Sequence, residues 1–169
     1  MSIPWSATIN INWGTGAHAS TLRMITDSRN GKYKYAEKLV QYMKYYGING
    51  IGVNSEFYSD RSSMTRLINF FAACHEEGKK QDWEFQVYWY DLTDASGNIT
   101  NDAGLSIHNE EMFGTGDKPV VDMLFFNYGW SKGQLDNSAR KAERMNRSSY
   151  DIYAGCDIQK NGMRLSGGS

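Results

Sequence analysis

The strongest constraint on this chain is an alternation of two hydrophobic rhythms. Short runs of apolar and β-branched residues alternate with longer stretches whose apolar residues recur at helical spacing. Ala7 to Trp13 reads as a first strand, followed by a polar, Gly-punctuated stretch from Gly14 to Asn30. Tyr33 to Tyr46 is helical, with Ala36, Leu39, Val40 and Met43 on one face and Gly47 at its C-terminal stop. Ile48 to Phe57 is a second strand. The next helix is capped by Asp60 or Ser62, faces inward through Met64, Leu67, Ile68, Phe71 and Ala72, and ends at Gly78. Trp83 to Tyr90 is a third strand, Asp91 to Asn101 a polar turn segment, and Asn109 to Phe113 a short helix. Val120 to Tyr128 is a fourth strand, apolar enough to be buried on both faces. Ser131 to Asn146 is helical, with Leu135, Ala139, Ala142 and Met145 inward, and Tyr150 to Ile158 is a fifth strand.

This order predicts a parallel α/β sheet, either an open doubly wound sheet or a (β/α)₈ barrel. No GxGxxG or GxxxxGK[ST] follows any strand, which argues against nucleotide binding. The polar residues Asn12, Asn54, Glu56, Asp91, Asn127 and Asp157 all stand at strand C-terminal ends, where both architectures place their sites. A full barrel takes about 250 residues. The 169 residues here therefore read as an incomplete one: a single domain over residues 1–165, with a flexible tail or linker at 166–169.

Composition excludes more than it selects. The net charge of -1, with 22% charged residues of mixed sign, offers no surface for a polyanion, so no nucleic-acid partner is expected. No apolar run is long enough for a membrane span, and the N-terminus lacks the charged and apolar regions of a signal peptide, leaving the compartment open. Cys74 and Cys156 form no framework and read as buried free thiols. His18, His75 and His108 lack metal-ligand spacing, so neither metal nor cofactor is expected, and each reads as a surface or loop residue.

The chemistry-bearing segment is Gly50-Ile51-Gly52-Val53-Asn54-Ser55-Glu56-Phe57. Residues two apart in a strand point to one face, so Asn54 and Glu56 project side by side, roughly 6–7 Å apart along the strand. A carboxyl and an amide so placed suit neighbouring atoms of one sugar. The same pair could also do no more than bond loop backbone. Gly50 and Gly52 remove side chains below the pair, as a close-approaching ligand requires.

Four separated motifs carry a family resemblance over about Tyr35 to Gly162. Tyr45-Tyr46-Gly47-Ile48-Asn49-Gly50 leads into Val53-Asn54-Ser55-Glu56; Trp89-Tyr90-Asp91 precedes a turn at Gly97. Phe125-Phe126-Asn127-Tyr128-Gly129-Trp130 ends the fourth strand, and Tyr150-Asp151-Ile152-Tyr153-Ala154-Gly155-Cys156-Asp157-Ile158 forms the fifth. In this order the motifs resemble those of the endo-β-N-acetylglucosaminidases of glycoside hydrolase family 85, which cut the GlcNAc-β-1,4-GlcNAc core of N-linked glycans. The resemblance implies a TIM-barrel fold and an N-glycan or glycoprotein substrate. It makes Asn54 and Glu56 the catalytic residues of a substrate-assisted retaining mechanism through an oxazoline. It also implies substrate-binding roles for Tyr90, Asn127, Tyr128, Trp130, Trp13 and Asp157, with Trp130 equally suited to packing at a helix start and Asp157 to capping a loop.

The chain departs from the family pattern in three places. Asn101-Asp102 stand where the family has Trp-Gln-Asn, so a stacking Trp is missing. Asn49 replaces a common Asp, and strands before Ala7 and after Ile158 are absent. These departures keep a non-catalytic carbohydrate-binding remnant as the alternative, and the open sheet edges predict self-association. A chitinase-like reading fails because the chain has no DxxDxDxE strand.

Overall fold

The computed structural model describes residues 6–11, 28–29 and 32–155. Trp13, His18, Cys156, Asp157 and the 166–169 tail lie outside the described residues. Five strands form one parallel sheet: β1 (Ser6–Ile11), β2 (Gly50–Ser55), β3 (Gln86–Tyr90), β4 (Met123–Phe126) and β5 (Ile152–Ala154). Each strand pairs with its successor in the chain, all in parallel. A doubly wound sheet needs a point where strand order reverses. None occurs among the described strands, so the sheet is singly wound, as in a (β/α)₈ barrel.

Among the described residues four α-helices are interleaved with the strands: α1 (Lys34–Tyr46), α2 (Arg61–Lys80), the single turn α3 (Glu110–Phe113) and α4 (Lys132–Arg144). Their ends follow local chemistry. Gly47 adopts φ 68° and closes α1. The Asp60 carboxylate accepts from Ser63 N at 2.9 Å and starts α2. Ser131 and Gln134 form a capping box on α4.

The core lies between the sheet and the helices. Ile51, Val53, Val87, Trp89, Leu124 and Phe126 point from alternate strand positions onto Val40, Met43, Met64, Leu67, Phe71 and Cys74. Trp89 is fully buried, edge-on to Phe57 and Phe71 at centroid distances of 6.4 and 6.0 Å.

Several expectations are corrected by this packing. Phe70, rather than Ala72, completes the buried face of α2, because that helix also covers the Tyr33 ring. Gly78 is not a helix stop. It lies within α2, where a Cβ would come within 2.7 Å of Trp83 O, so its bareness admits the returning chain. On α4 the fully buried positions are Ser138 and Ala142, with the Ser138 hydroxyl accepting from Leu105 N at 2.9 Å. β4 is buried on one face only: Leu124 and Phe126 face the helices, while Met123 and Phe125 are half-buried on the opposite side. His75 is no loop residue. It sits on α2, half-buried, with Nε2 2.8 Å from Asp122 Oδ2.

Candidate active site

The face of the sheet turned away from the helices carries the candidate site. Strand alternation that buries Ile51, Val53 and Ser55 sends Gly52, Asn54 and then Glu56 to the other side. There they line a pocket of ≈ 640 Å³ together with Tyr88, Tyr90, Met123, Phe125, Tyr128 and Tyr153. The pocket is thus one polar pair set among aromatic rings and one thioether.

Asn54 Nδ2 donates to Glu56 Oε2 at 3.0 Å. The two side chains therefore share a face, and among the described residues lining the pocket Glu56 is the sole carboxylate. The backbone around Glu56 is clasped from behind. The Thr93 hydroxyl lies 2.7 Å from Ser55 O and 2.8 Å from Phe57 O, sharing one proton between the carbonyls on either side of Glu56. The buried Ser55 hydroxyl donates to Tyr90 O, joining β2 to β3 at the same level. Gly50 serves a different purpose from the one its sequence position suggested. A Cβ there would meet Gln86 O at 2.1 Å, so the close approach is that of β3's backbone. Gly52 does face the pocket.

Tyr90 donates its hydroxyl to Asn127 Oδ1 at 2.7 Å. Burial, then the nearby Glu56, Tyr128 and Asp91, push its pKa up to about 12, so it stays a protonated phenol. Asn127 stands behind Tyr90 and reaches the pocket through it. Tyr128 lines the rim and is 47% exposed, leaving its ring free to meet a ligand. The Trp130 indole donates to Gly155 O at 2.7 Å, tying the chain after β4 to the chain after β5, and is not among the lining residues.

Asp91 follows Tyr90 but points away from the pocket, into the protein. One oxygen accepts from Asn109 Nδ2 at 2.6 Å; the other is buried without a hydrogen-bond partner. Burial pushes its pKa up to about 8, against the Asn109 bond, with Asp102 adding to the rise. The turn that follows is held by Asp94, whose Oδ1 accepts from Ser96 N and Asn98 N, each at 2.8 Å. Cys74 is a buried thiol held well above its ordinary range by burial and by Glu77.

Sequence reasoning missed Tyr88, Met123, Phe125 and Tyr153 as pocket residues. Their period-2 spacing with Tyr90 and with one another was the available signal, hidden in β4 by its continuous apolar run. Ser55, Thr93 and Asn101 were missed because their partners lie 26 to 38 residues away in sequence.

Comparison with known proteins places these observations. Residues 2–169 match the family described as Glycosyl hydrolase family 85. The cytosolic endo-beta-N-acetylglucosaminidase 1 of Arabidopsis thaliana is 24% identical over 146 residues, covering 86% of this chain and 20% of that protein. The human cytosolic endo-beta-N-acetylglucosaminidase is 23% identical over 155 residues, covering 92% of this chain and 20% of that protein. The crystal structure of the glycoside hydrolase domain of Endo-D from Streptococcus pneumoniae R6 superposes with a TM-score of 0.83 at 26% identity, covering 94% of this chain and 26% of that one. The chain thus spans about a fifth of the length of these curated relatives and about a quarter of the solved chain.

Proposed function

This chain belongs to glycosyl hydrolase family 85, and from that membership we propose that it carries the catalytic centre of a mannosyl-glycoprotein endo-β-N-acetylglucosaminidase. Its substrate is an N-glycan or glycoprotein, cut at the GlcNAc-β-1,4-GlcNAc core, and residues 1–165 act as one catalytic unit. The observation that carries this reading is the Asn54–Glu56 pair, 3.0 Å apart, in a pocket with no second lining carboxylate among the described residues.

Glycosidases that work through the enzyme alone use two carboxyl groups, one as acid and one as nucleophile or base. With Glu56 as the single acid, the nucleophile is supplied by the substrate. Glu56 protonates the glycosidic oxygen while the acetamido oxygen of the same sugar attacks C1. The C1–O bond breaks and the oxazoline forms as its N-protonated oxazolinium ion, the amide N–H being retained. Glu56, now a carboxylate, takes a proton from water as water opens the oxazoline at C1, and two inversions give net retention. Asn54 holds the acetamido group in line for attack, a positioning task that an amide two residues from the acid can perform. Tyr90 and Tyr128 contact the reacting sugar. The half-buried aromatic rings offer apolar faces for pyranose C–H groups.

The test is release of the glycan from a high-mannose glycopeptide, followed by mass. Cleavage between the two core GlcNAc residues is expected, with a loss on the order of 10²–10⁴ in rate for Glu56→Gln. Near-normal hydrolysis by that variant would overturn the assignment. One observation favours a second reading, a non-catalytic carbohydrate-binding remnant: the five described strands form an open sheet with β1 and β5 at its two edges rather than a closed barrel. Glycan binding by calorimetry without turnover would select that reading. The edges at β1 and β5, unpaired among the described residues, also support self-association, which sedimentation velocity would detect.

A further inference from the structure

One oxygen atom in this site has its hydrogen-bond direction fixed by the backbone, and the consequence runs along three side chains. Tyr128 N lies 2.8 Å from Asn127 Oδ1. A backbone N–H only donates, so the oxygen of the Asn127 amide must face it, and the amide cannot be flipped. The same Oδ1 is 2.7 Å from the Tyr90 hydroxyl, which must therefore be the donor of that pair. Asn127 Nδ2 then points the opposite way and needs an acceptor. It finds Asn101 Oδ1 at 2.7 Å. The chain of donors thus runs in one direction, from Tyr90 through Asn127 to Asn101.

Asn101 is exposed, yet its loop is tethered on both sides of the contact. Asp102 O accepts from Gln134 Nε2 of α4 at 3.1 Å, and the Asp102 carboxylate is 2.9 Å from His108 Nδ1. At the far end of the loop the buried Asn109 amide bridges Asp91 Oδ1 at 2.6 Å and Gly104 O at 2.8 Å. The loop is therefore built as a fixed mount for Asn101.

Resting on the glycosidase reading, we propose that Asn101 is a positioning residue that acts through Asn127 to hold the Tyr90 hydroxyl in the pocket. With the relay intact, the Tyr90 proton is committed to Asn127, and the phenol oxygen keeps its lone pairs and its place in the pocket with Asn54 and Glu56. Without an acceptor at residue 101, Asn127 Nδ2 loses its partner, and the amide, held then only at its oxygen by Tyr128 N and the Tyr90 hydroxyl, tilts about that point and shifts the Tyr90 hydroxyl with it.

The test uses a pair of exposed replacements, which leave the core untouched. Asn101→Asp keeps an acceptor oxygen for Asn127, whereas Asn101→Leu removes it. On glycopeptide, Asn101→Leu should lower kcat/KM about 3- to 10-fold, the worth of one net hydrogen bond, while Asn101→Asp stays within about twofold. In a Tyr90→Phe background, Asn101→Leu should have no further effect, because the group it acts on is gone. A second readout is independent of turnover. In the chain labelled with ¹³C at tyrosine Cζ, the Tyr90 resonance is assigned by its loss in Tyr90→Phe. It should move in Asn101→Leu and hold its position in Asn101→Asp. A Tyr90 resonance unmoved by Asn101→Leu overturns the proposal, and so does a kinetic loss that persists at full size in Tyr90→Phe. Absence of hydrolysis by the unaltered chain would count against the glycosidase reading, while the resonance comparison still decides the relay.

Discussion

The two ends of the parallel sheet treat polar groups in opposite ways. At the amino ends of β3, β4 and β5, Arg147 is almost fully buried and spends its donors on the protein. Its guanidinium bonds Phe113 O at 2.6 Å, Asp122 O at 2.8 Å, Val121 O at 3.1 Å and Asp151 Oδ2 at 3.0 Å, and lies 4.1 Å from the Phe113 ring centroid. Asp122 accepts from Val87 N at 2.6 Å and pairs with His75. At the carboxyl ends, Asn54, Glu56 and Tyr90 each make a bond that orients them but remain half-buried against an open pocket. Charge at one end is used up in closing backbone; at the other it is oriented and left available. That division matches the general separation in barrels between a stability face and a catalytic face.

The division breaks if mutations at the two ends have the same phenotype. Glu56→Gln should remove the largest share of activity while leaving the thermal midpoint within about 2 °C, since a half-buried pocket residue away from the core changes stability by about 0.5 kcal/mol or less. A large fall in midpoint would show Glu56 to be structural. Arg147→Ala should do the reverse. Removing a buried charge that satisfies three carbonyls and Asp151 costs about 3–5 kcal/mol by denaturant titration, with activity tracking the folded fraction. A stable, inactive Arg147→Ala protein would place that residue in the chemistry instead.

Asn54→Ala should lower hydrolysis of intact glycan strongly, but lower hydrolysis of a preformed oxazoline much less. That donor has already passed the step at which the acetamido group must be held. Equal losses on both donors would remove Asn54 from its proposed role.

Asp91 sharpens the comparison through pH. Its folded pKa is raised to about 8, chiefly by burial, so the stability it contributes is complete below the unfolded carboxyl's range and is lost as pH rises through about 8. Asp91→Asn should therefore gain stability relative to the parent between pH 5 and pH 8, measured by urea midpoints. A constant difference across that range would contradict the burial argument. The smallest effect belongs to His75. Burial alone would lower its pKa, but the Asp122 hydrogen bond and charge outweigh it, and the net shift is upward. Its contribution is present below about pH 6.5 and lost as pH rises through the folded value. His75→Gln should destabilise at pH 6 and do so less at pH 8.5.

Alternating rhythms of period 2 and period 3.6, with a stop at Gly47 and a cap at Asp60 or Ser62, were enough to order the strands and helices from the sequence. The Asn-x-Glu spacing was enough to put Asn54 and Glu56 on one face. These are local properties, set by backbone geometry within a few residues, and need no knowledge of neighbours. The sequence could not say which face of β4 was buried, because Met123 and Phe125 are as apolar as Leu124 and Phe126; only the position of the helices decides it. Nor could it separate Asp91, sealed against Asn109, from Asp94, which holds the turn, since both are aspartates in the polar segment that follows β3. The Ser55–Thr93 clasp, the Asn101–Asn127–Tyr90 relay and the Arg147 hub join residues 25 to 38 positions apart. Such contacts exist only once parallel strands are in register, which is why the shared face of Asn54 and Glu56 was written locally and the means of holding the pair was decided by the tertiary fold.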